Sequence, residues 1–284
     1  MQCIHLHTAP FRFQLNTDHP QLATKLASMY PADVLRPASE RDFIDFHIDF
    51  RRRWSGFSRP YHFRLGNEHF RMADAHDSLA CVEWGLNWCI ATFQTHYLCI
   101  HAGVLEKNGI TLIMPAPPGS GKSTLCALLM HHGWRLLSDE HCLIDPHSGD
   151  IVPCVRPISL KNKSIDVLQA RLGAAAGITA LVHNTFKGTI GYMQPTARSW
   201  QQATQSAKAT YVVLPKYEAT PSALHVAAIA QAPLFMQLAA NSFNYAAMGE
   251  RGFQVMQQLV ASVVGFEFRY HDADEAIAFM DTLP

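Results

Sequence analysis

The stretch ITLIMPAPPGSGKSTLCA, from Ile110 to Ala127, constrains this chain more than any other. Ile110, Leu112, Ile113 and Met114 form a short apolar run of the kind that makes a buried strand. Gly119, Ser120 and Gly121 give a backbone that can curl, and Lys122, Ser123 and Thr124 open an apolar helix continuing through Leu125, Leu128 and Leu129. A strand, a glycine-rich loop and a helix in that order are the context of a phosphate-binding loop. In such a loop, successive backbone N–H groups and the positive end of the helix hold phosphate oxygens. Lys122 is then placed to reach the β- and γ-phosphates, and the Ser123 hydroxyl to bind Mg²⁺. The implied cofactors are ATP and Mg²⁺, and the implied cradle is Gly119, Ser120, Gly121, Lys122, Ser123 and Thr124.

The loop departs from G-x-x-x-x-G-K-S at its first glycine, where Ala116 stands, followed by Pro117-Pro118. Proline pushes the residue before it to extended conformations and brings no N–H of its own. Ala116 and Pro117 are therefore expected to be extended, with the donors coming from Gly119 to Thr124. An alanine forced to positive φ would cost about 1–2 kcal/mol.

With 284 residues, 48% of them hydrophobic, the chain can bury a large core and is long enough for one large domain or two smaller ones. Lys+Arg and Asp+Glu balance at 23 each, which removes any general attraction to nucleic acid or to an anionic membrane. The seven cysteines are scattered without a C-x-x-C pair and read as buried thiols of a reducing compartment, which points to the cytoplasm. The first residues, MQCIHLHTAPFRFQL, lack both a basic start and a continuous apolar core. The longest apolar segment, from Ala223, is broken by His225, Gln231 and Pro233, so no membrane span is expected. The 16 histidines are dispersed and read as solvated or hydrogen-bonded side chains rather than metal ligands.

Along the chain, apolar and polar residues alternate from Ile4 to Leu15 and again from Asp42 to Phe50, the period of half-buried strands, with a helix expected between His19 and Met29. YHFRLGNEHFRM predicts a hairpin turning at Gly66-Asn67. Arg51-Arg52-Arg53 before Trp54 reads first as a basic strand end, with an acidic or phosphorylated partner as the alternative. Ser78 to Phe93 predicts a mostly buried helix. Two strands joined at Lys107-Asn108-Gly109 lead into the phosphate loop. After the loop helix, RLLSDEHCLID reads as a strand whose polar interruption carries Asp139-Glu140. GAAAGITALVH is a short helix or a strand, and residues 187–208 form a long turn-rich loop. YVVLP from Tyr211 and FEFRYH from Phe266 read as strands. Pro233 to Ala240, Phe253 to Val264 and the residues after Asp272 read as helices.

The segment from His101 to Asp145, HAGVLEKNGITLIMPAPPGSGKSTLCALLMHHGWRLLSDEHCLID, resembles the core of the HPr kinase/phosphorylase-like kinases, and especially the branch called HPr-kinase-related kinase A. The resemblance rests on the His-x-Gly-Val-Leu strand at His101, the phosphate loop, and the acidic pair after Arg-Leu-Leu. RPISLKNKSIDVL from Arg156 and ATYVVLPKY from Ala209 extend it. It implies an α/β fold shared with phosphoenolpyruvate carboxykinases, a P-loop domain with a mixed sheet over residues 77–284; residues 1–76, which the resemblance does not reach, read from their alternating strands and hairpin as a small α/β unit that would bind substrate or partner. It also implies that Asp139 takes the proton of the acceptor hydroxyl, that Glu140 assists metal binding beside Ser123 and Asp139, and that His101 lies near the phosphates. The acidic pair is Asp-Glu where the family carries Asp-Asp, and RPISLK stands where HPr kinases carry Glu-Leu-Arg-Gly.

The chemistry expected is transfer of the γ-phosphoryl group of ATP to a hydroxyl, by the resemblance a serine of a peptide or protein. Lys122, Mg²⁺ and either Arg156 or Lys161 would neutralise charge at the phosphates, while Asp139 positions the acceptor. Two alternatives stay open, an ATP-binding and hydrolysing regulatory module in which Asp139 binds only metal, and a small-molecule kinase. A homo-oligomer stays open as well.

Overall fold

The structure, a computed structural model, describes residues 1–39, 42–53, 60–71, 78–185 and 187–284; Trp54 and the expected domain break between residues 76 and 77 lie outside them. The chain runs β1 (Gln2–Thr8), β2 (Phe11–Thr17), α1 (Leu22–Ala27), β3 (Phe46–Arg52), β4 (Tyr61–Leu65), β5 (Glu68–Arg71) and α2 (Ser78–Phe93). It continues with β6 (Leu98–Lys107), β7 (Ile110–Pro115), α3 (Lys122–His131), β8 (Arg135–Ser138), β9 (His141–Ile144), β10 (Ile151–Val152), β11 (Ile158–Lys161) and α4 (Lys163–Leu172). Then follow β12 (Ile178–Thr185), β13 (Gly188–Met193), α5 (Ala197–Gln201), β14 (Tyr211–Tyr217), β15 (His225–Ile229), α6 (Gln231–Ala240), α7 (Gly249–Ser262), β16 (Val264–Tyr270) and α8 (Ala273–Asp281). The architecture is mixed α/β with several sheets.

Two compact units result, one made of Met1–Phe93 with Arg156–Gln194, the other of Gln94–Val155 with Pro195–Pro284. This division is not a single cut along the chain. In the first unit, β1 to β5 form a five-stranded sheet in chain order, with β2 and β3 parallel and the other pairs antiparallel. The alternation read from Ile4 to Leu15 is a hairpin turning at Ala9-Pro10, whose inward residues Leu6, Phe11, Phe13 and Leu15 are buried. Arg51 pairs with Asp49 of the same strand at 2.7 Å, and Arg52 lies 5.1 Å over the ring of Tyr61 on the neighbouring β4.

Helix α2 belongs to this unit because of what it carries. A Cβ at Gly85 would collide with the Phe63 ring, and Glu83, buried, accepts hydrogen bonds from Tyr30 at 2.9 Å and from Arg156 at 2.5 Å. A buried carboxylate needs such partners, and this one draws the chain at Arg156 back to the N-terminal sheet. GAAAGITALVH resolves into a 3-10 turn at Gly173–Ala176 followed by β12. The long loop expected over residues 187–208 is instead partly regular, since β13 pairs with both β11 and β12, and α5 follows.

The second unit holds an eight-stranded mixed sheet ordered β10-β9-β6-β7-β14-β16-β15, with β8 also on β6. β7 is antiparallel to β6 and parallel to β14, which is in turn parallel to β16. The hairpin between β6 and β7 turns at Asn108 and Gly109, both at positive φ. Even-numbered residues of β6, Leu98 to Val104, join Leu234, Leu238, Met256 and Val260 of α6 and α7 in one core layer. Successive side chains of a strand point to opposite faces, so Gly103 faces the other way, onto α3. A Cβ there would collide with the Cys126 sulfur and lie 3.6 Å from the stem of Lys122. Gly103→Ala is therefore expected to destabilise the fold by about 1–3 kcal/mol through overpacking. A urea unfolding midpoint that does not move would contradict this close approach. Cys89, Cys99, Cys126, Cys142 and Cys154 are buried, as their apolar surroundings predict.

Candidate functional site

The conformation of the glycine-rich loop between β7 and α3 follows from three local facts. β7 ends at Pro115, Ala116 is buried without positive φ, and the left-handed turns fall on Gly119 (φ 85°) and Gly121 (φ 90°). Gly121 is the N-cap of α3, so the first-turn N–H groups of a ten-residue helix face the end of the loop. Besides its φ, the position needs glycine for space, because a Cβ would come within 2.9 Å of the Tyr270 hydroxyl and 3.0 Å of the Tyr217 Cβ. The Tyr217 N–H donates to the Ser120 carbonyl at 2.9 Å and ties the loop to the end of β14.

The acidic pair sits at a break in one long strand. β9 pairs with the start of β6 through His101↔His141, and β8 pairs further along through Val104↔Ser138, leaving Asp139 and Glu140 between them. The Ser138 hydroxyl accepts from the N–H groups of Glu140 (3.2 Å) and His141 (2.8 Å), which holds the chain in this bend. On an unbroken strand adjacent side chains would point to opposite faces. Here the Asp139 carboxylate accepts from Ser123 Oγ at 2.9 Å and lies 3.3 Å from Lys122 Nζ, which also donates to the Asp139 carbonyl. Glu140 meets His101 Nε2 at 2.9 Å.

Lys122 and Asp139 are almost fully buried, at 8% and 3% side-chain exposure. Burial by itself lowers the Lys122 pKa, but the charges of Asp139 and Glu140 outweigh it and the net shift is upward, so the ammonium stays charged. Burial raises the Glu140 carboxyl, and the hydrogen bond from His101 with the charges of Lys122, His101 and His141 overcomes this and holds it well below the usual range. The result is a buried cation, two carboxylates and a hydroxyl around the mouth of the loop. Ser123 and Asp139 offer hard oxygen donors side by side, as Mg²⁺ requires, and a site completed by phosphate and water needs no all-protein cage. Among the described residues no group of three or more His, Cys, Asp or Glu side chains forms such a cage.

The structure thus brings together Gly119 to Thr124, Asp139, Glu140 and His101. Arg156 and Lys161, the further phosphate contacts expected from the sequence, lie in the first unit, in the stretch Arg156–Gln194. Arg156 donates there to Glu83 and, at 2.5 Å, to Asn87, while Lys161 is exposed at the end of β11. Sequence reasoning missed Phe243, whose half-exposed ring packs 5.7 Å from both His101 and His141, and it missed Tyr217 and Tyr270 beside Gly121. Nothing local marks these residues, because their contacts span about a hundred residues or more of sequence. Among the described residues no helix is long and apolar enough to cross a membrane.

Neither a protein-family model nor a curated protein matches this chain. Among solved structures it is similar to the Hpr(Ser) kinase/phosphatase from Coxiella burnetii, with 11% sequence identity and a TM-score of 0.30, over 65% of this chain and 92% of that one.

Proposed function

We propose that this protein is an ATP-dependent kinase that transfers the γ-phosphoryl group to a hydroxyl, with a serine of a peptide or protein as acceptor. The observation that carries the reading is the break at Asp139-Glu140, which lets both carboxylates serve one site beside a glycine-rich loop and a buried lysine. Phosphoryl transfer asks a protein for position and charge compensation rather than covalent chemistry, and this group supplies both. The cradle N–H groups and Lys122 would hold the phosphates. Ser123 and Asp139, with Glu140 adjacent, would hold Mg²⁺, which when bound neutralises charge on the phosphate oxygens. The Asp139 carboxylate would accept the proton of the acceptor hydroxyl. His101, fixed by Glu140, would face the same phosphates. The choice of a serine acceptor rests on the sequence resemblance around His101 to Asp145.

A second reading is an ATP-binding regulatory module, and one contact favours it: the 2.9 Å approach of Ser123 to Asp139 is also what a carboxylate used only for metal would show. Incubation of the purified chain with γ-labelled ATP, Mg²⁺ and cell extract separates the two. Label on serine of a protein supports the kinase; hydrolysis without any labelled acceptor supports the module. Label on a small molecule alone replaces the protein acceptor with a metabolite. Glu140→Gln is expected to raise the Mg²⁺ concentration for half-maximal turnover by about 10- to 100-fold, the usual cost of losing a group that orients a metal site. An unchanged Mg²⁺ dependence would remove Glu140 from the metal site.

A further inference from the structure

We propose that Tyr217 is the platform on which the base of the bound nucleotide stacks, an inference that rests on the phosphate-binding reading above. Asp139, Glu140 and His101, the groups addressed to the terminal phosphate, all come from β6 and the broken strand paired with it. β14 lies on the opposite side of β7. A nucleotide laid over the loop with its terminal phosphate toward Asp139 therefore carries its sugar and base toward the end of β14. Ligands of α/β sheets lie at such carboxyl ends of parallel strands.

Tyr217 is the last residue of β14, and its backbone is fastened to the loop by the bond to Ser120. Its ring is braced from two directions. His271 stacks on it at 6.1 Å with the planes 20° apart, and Tyr270 meets it edge-on at 5.7 Å. His271 is itself held by the Glu218 carbonyl at 2.9 Å. Tyr217 nevertheless stays 46% exposed, while Tyr211, Phe268 and Tyr270 on β14 and β16 are buried. A rigid aromatic ring left open beside a phosphate cradle loses little freedom on binding and offers a π face to any base.

Calorimetric titration of the full chain in Mg²⁺, with ATP and inorganic tripolyphosphate as probes, tests this. Tyr217→Ala is expected to weaken ATP binding by about 10- to 100-fold while leaving tripolyphosphate affinity nearly unchanged, and Tyr217→Phe to keep both. Equal ATP affinity in Tyr217→Ala and wild type, equal weakening of both probes, or a wild type that holds ATP no tighter than tripolyphosphate overturns the platform and leaves the phosphate reading standing. A wild type that binds neither probe, or tripolyphosphate affinity that survives Lys122→Ala, overturns the phosphate reading and the platform with it.

Discussion

Lys122→Ala is expected to weaken ATP binding by about a hundredfold or more, since truncating one partner of a desolvated charge contact typically costs 2–5 kcal/mol. The side chain is buried, its ammonium is kept charged by Asp139 and Glu140, and its stem packs beside Gly103. Those same contacts mean that the substitution also leaves the Asp139 carboxylate buried without its cation, a situation that destabilises by about 3–5 kcal/mol. Thermal unfolding should therefore be recorded next to binding. Lys122→Ala combined with Asp139→Asn removes the stranded charge and is expected to recover stability but not ATP affinity. A folded Lys122→Ala protein with wild-type affinity and turnover would end the assignment of this loop to phosphate.

Asp139→Asn is expected to keep nucleotide binding and to slow phosphoryl transfer by about 10²–10⁴-fold, the usual contribution of a general base. The amide keeps the size of the carboxylate; its single oxygen can accept from Lys122 while its NH2 donates to the Ser123 hydroxyl, so the loop and the strand break should persist. What it loses is the capacity to take a proton. Binding measured with ATP and Mg²⁺, and transfer measured as label on the acceptor, separate the two functions. If the variant instead loses Mg²⁺-dependent nucleotide binding, and the wild type labels no acceptor, Asp139 is a metal ligand only and the regulatory module becomes the better account.

The sequence by itself determined those features whose cause is local. The order of apolar run, glycines, Lys-Ser and helix placed β7, the glycine-rich loop after it and the start of α3. Ala116, standing before proline, has no positive φ, and the left-handed residues of the loop are Gly119 and Gly121. Polar residues at Ser138 to His141 marked the strand break, and Asp272 marked the start of α8, where it accepts from the Asp274 N–H at 2.7 Å. What failed did so for a physical reason. Alternation from Ile4 to Leu15 has the same period on either side of a two-residue turn, so it could not show a hairpin. The strand β15, HVAAI, is made of small residues on a sheet edge and offers no strong period.

Only the tertiary structure decided which charges meet. Arg156, which the sequence offers as a phosphate contact, is held by Glu83 and Asn87, about seventy residues earlier, in a buried network. Asp139 and Glu140 are neighbours in sequence, yet they separate onto Lys122 with Ser123 and onto His101, because the hydroxyl of Ser138 bends the strand between them. Tyr217, His271 and Phe243 carry no motif; they stand beside the site because β14, β16 and the end of α6 converge there. A backbone turn is set by the residues that make it, whereas the partner of a buried charge is set by which distant element the core brings within 3 Å.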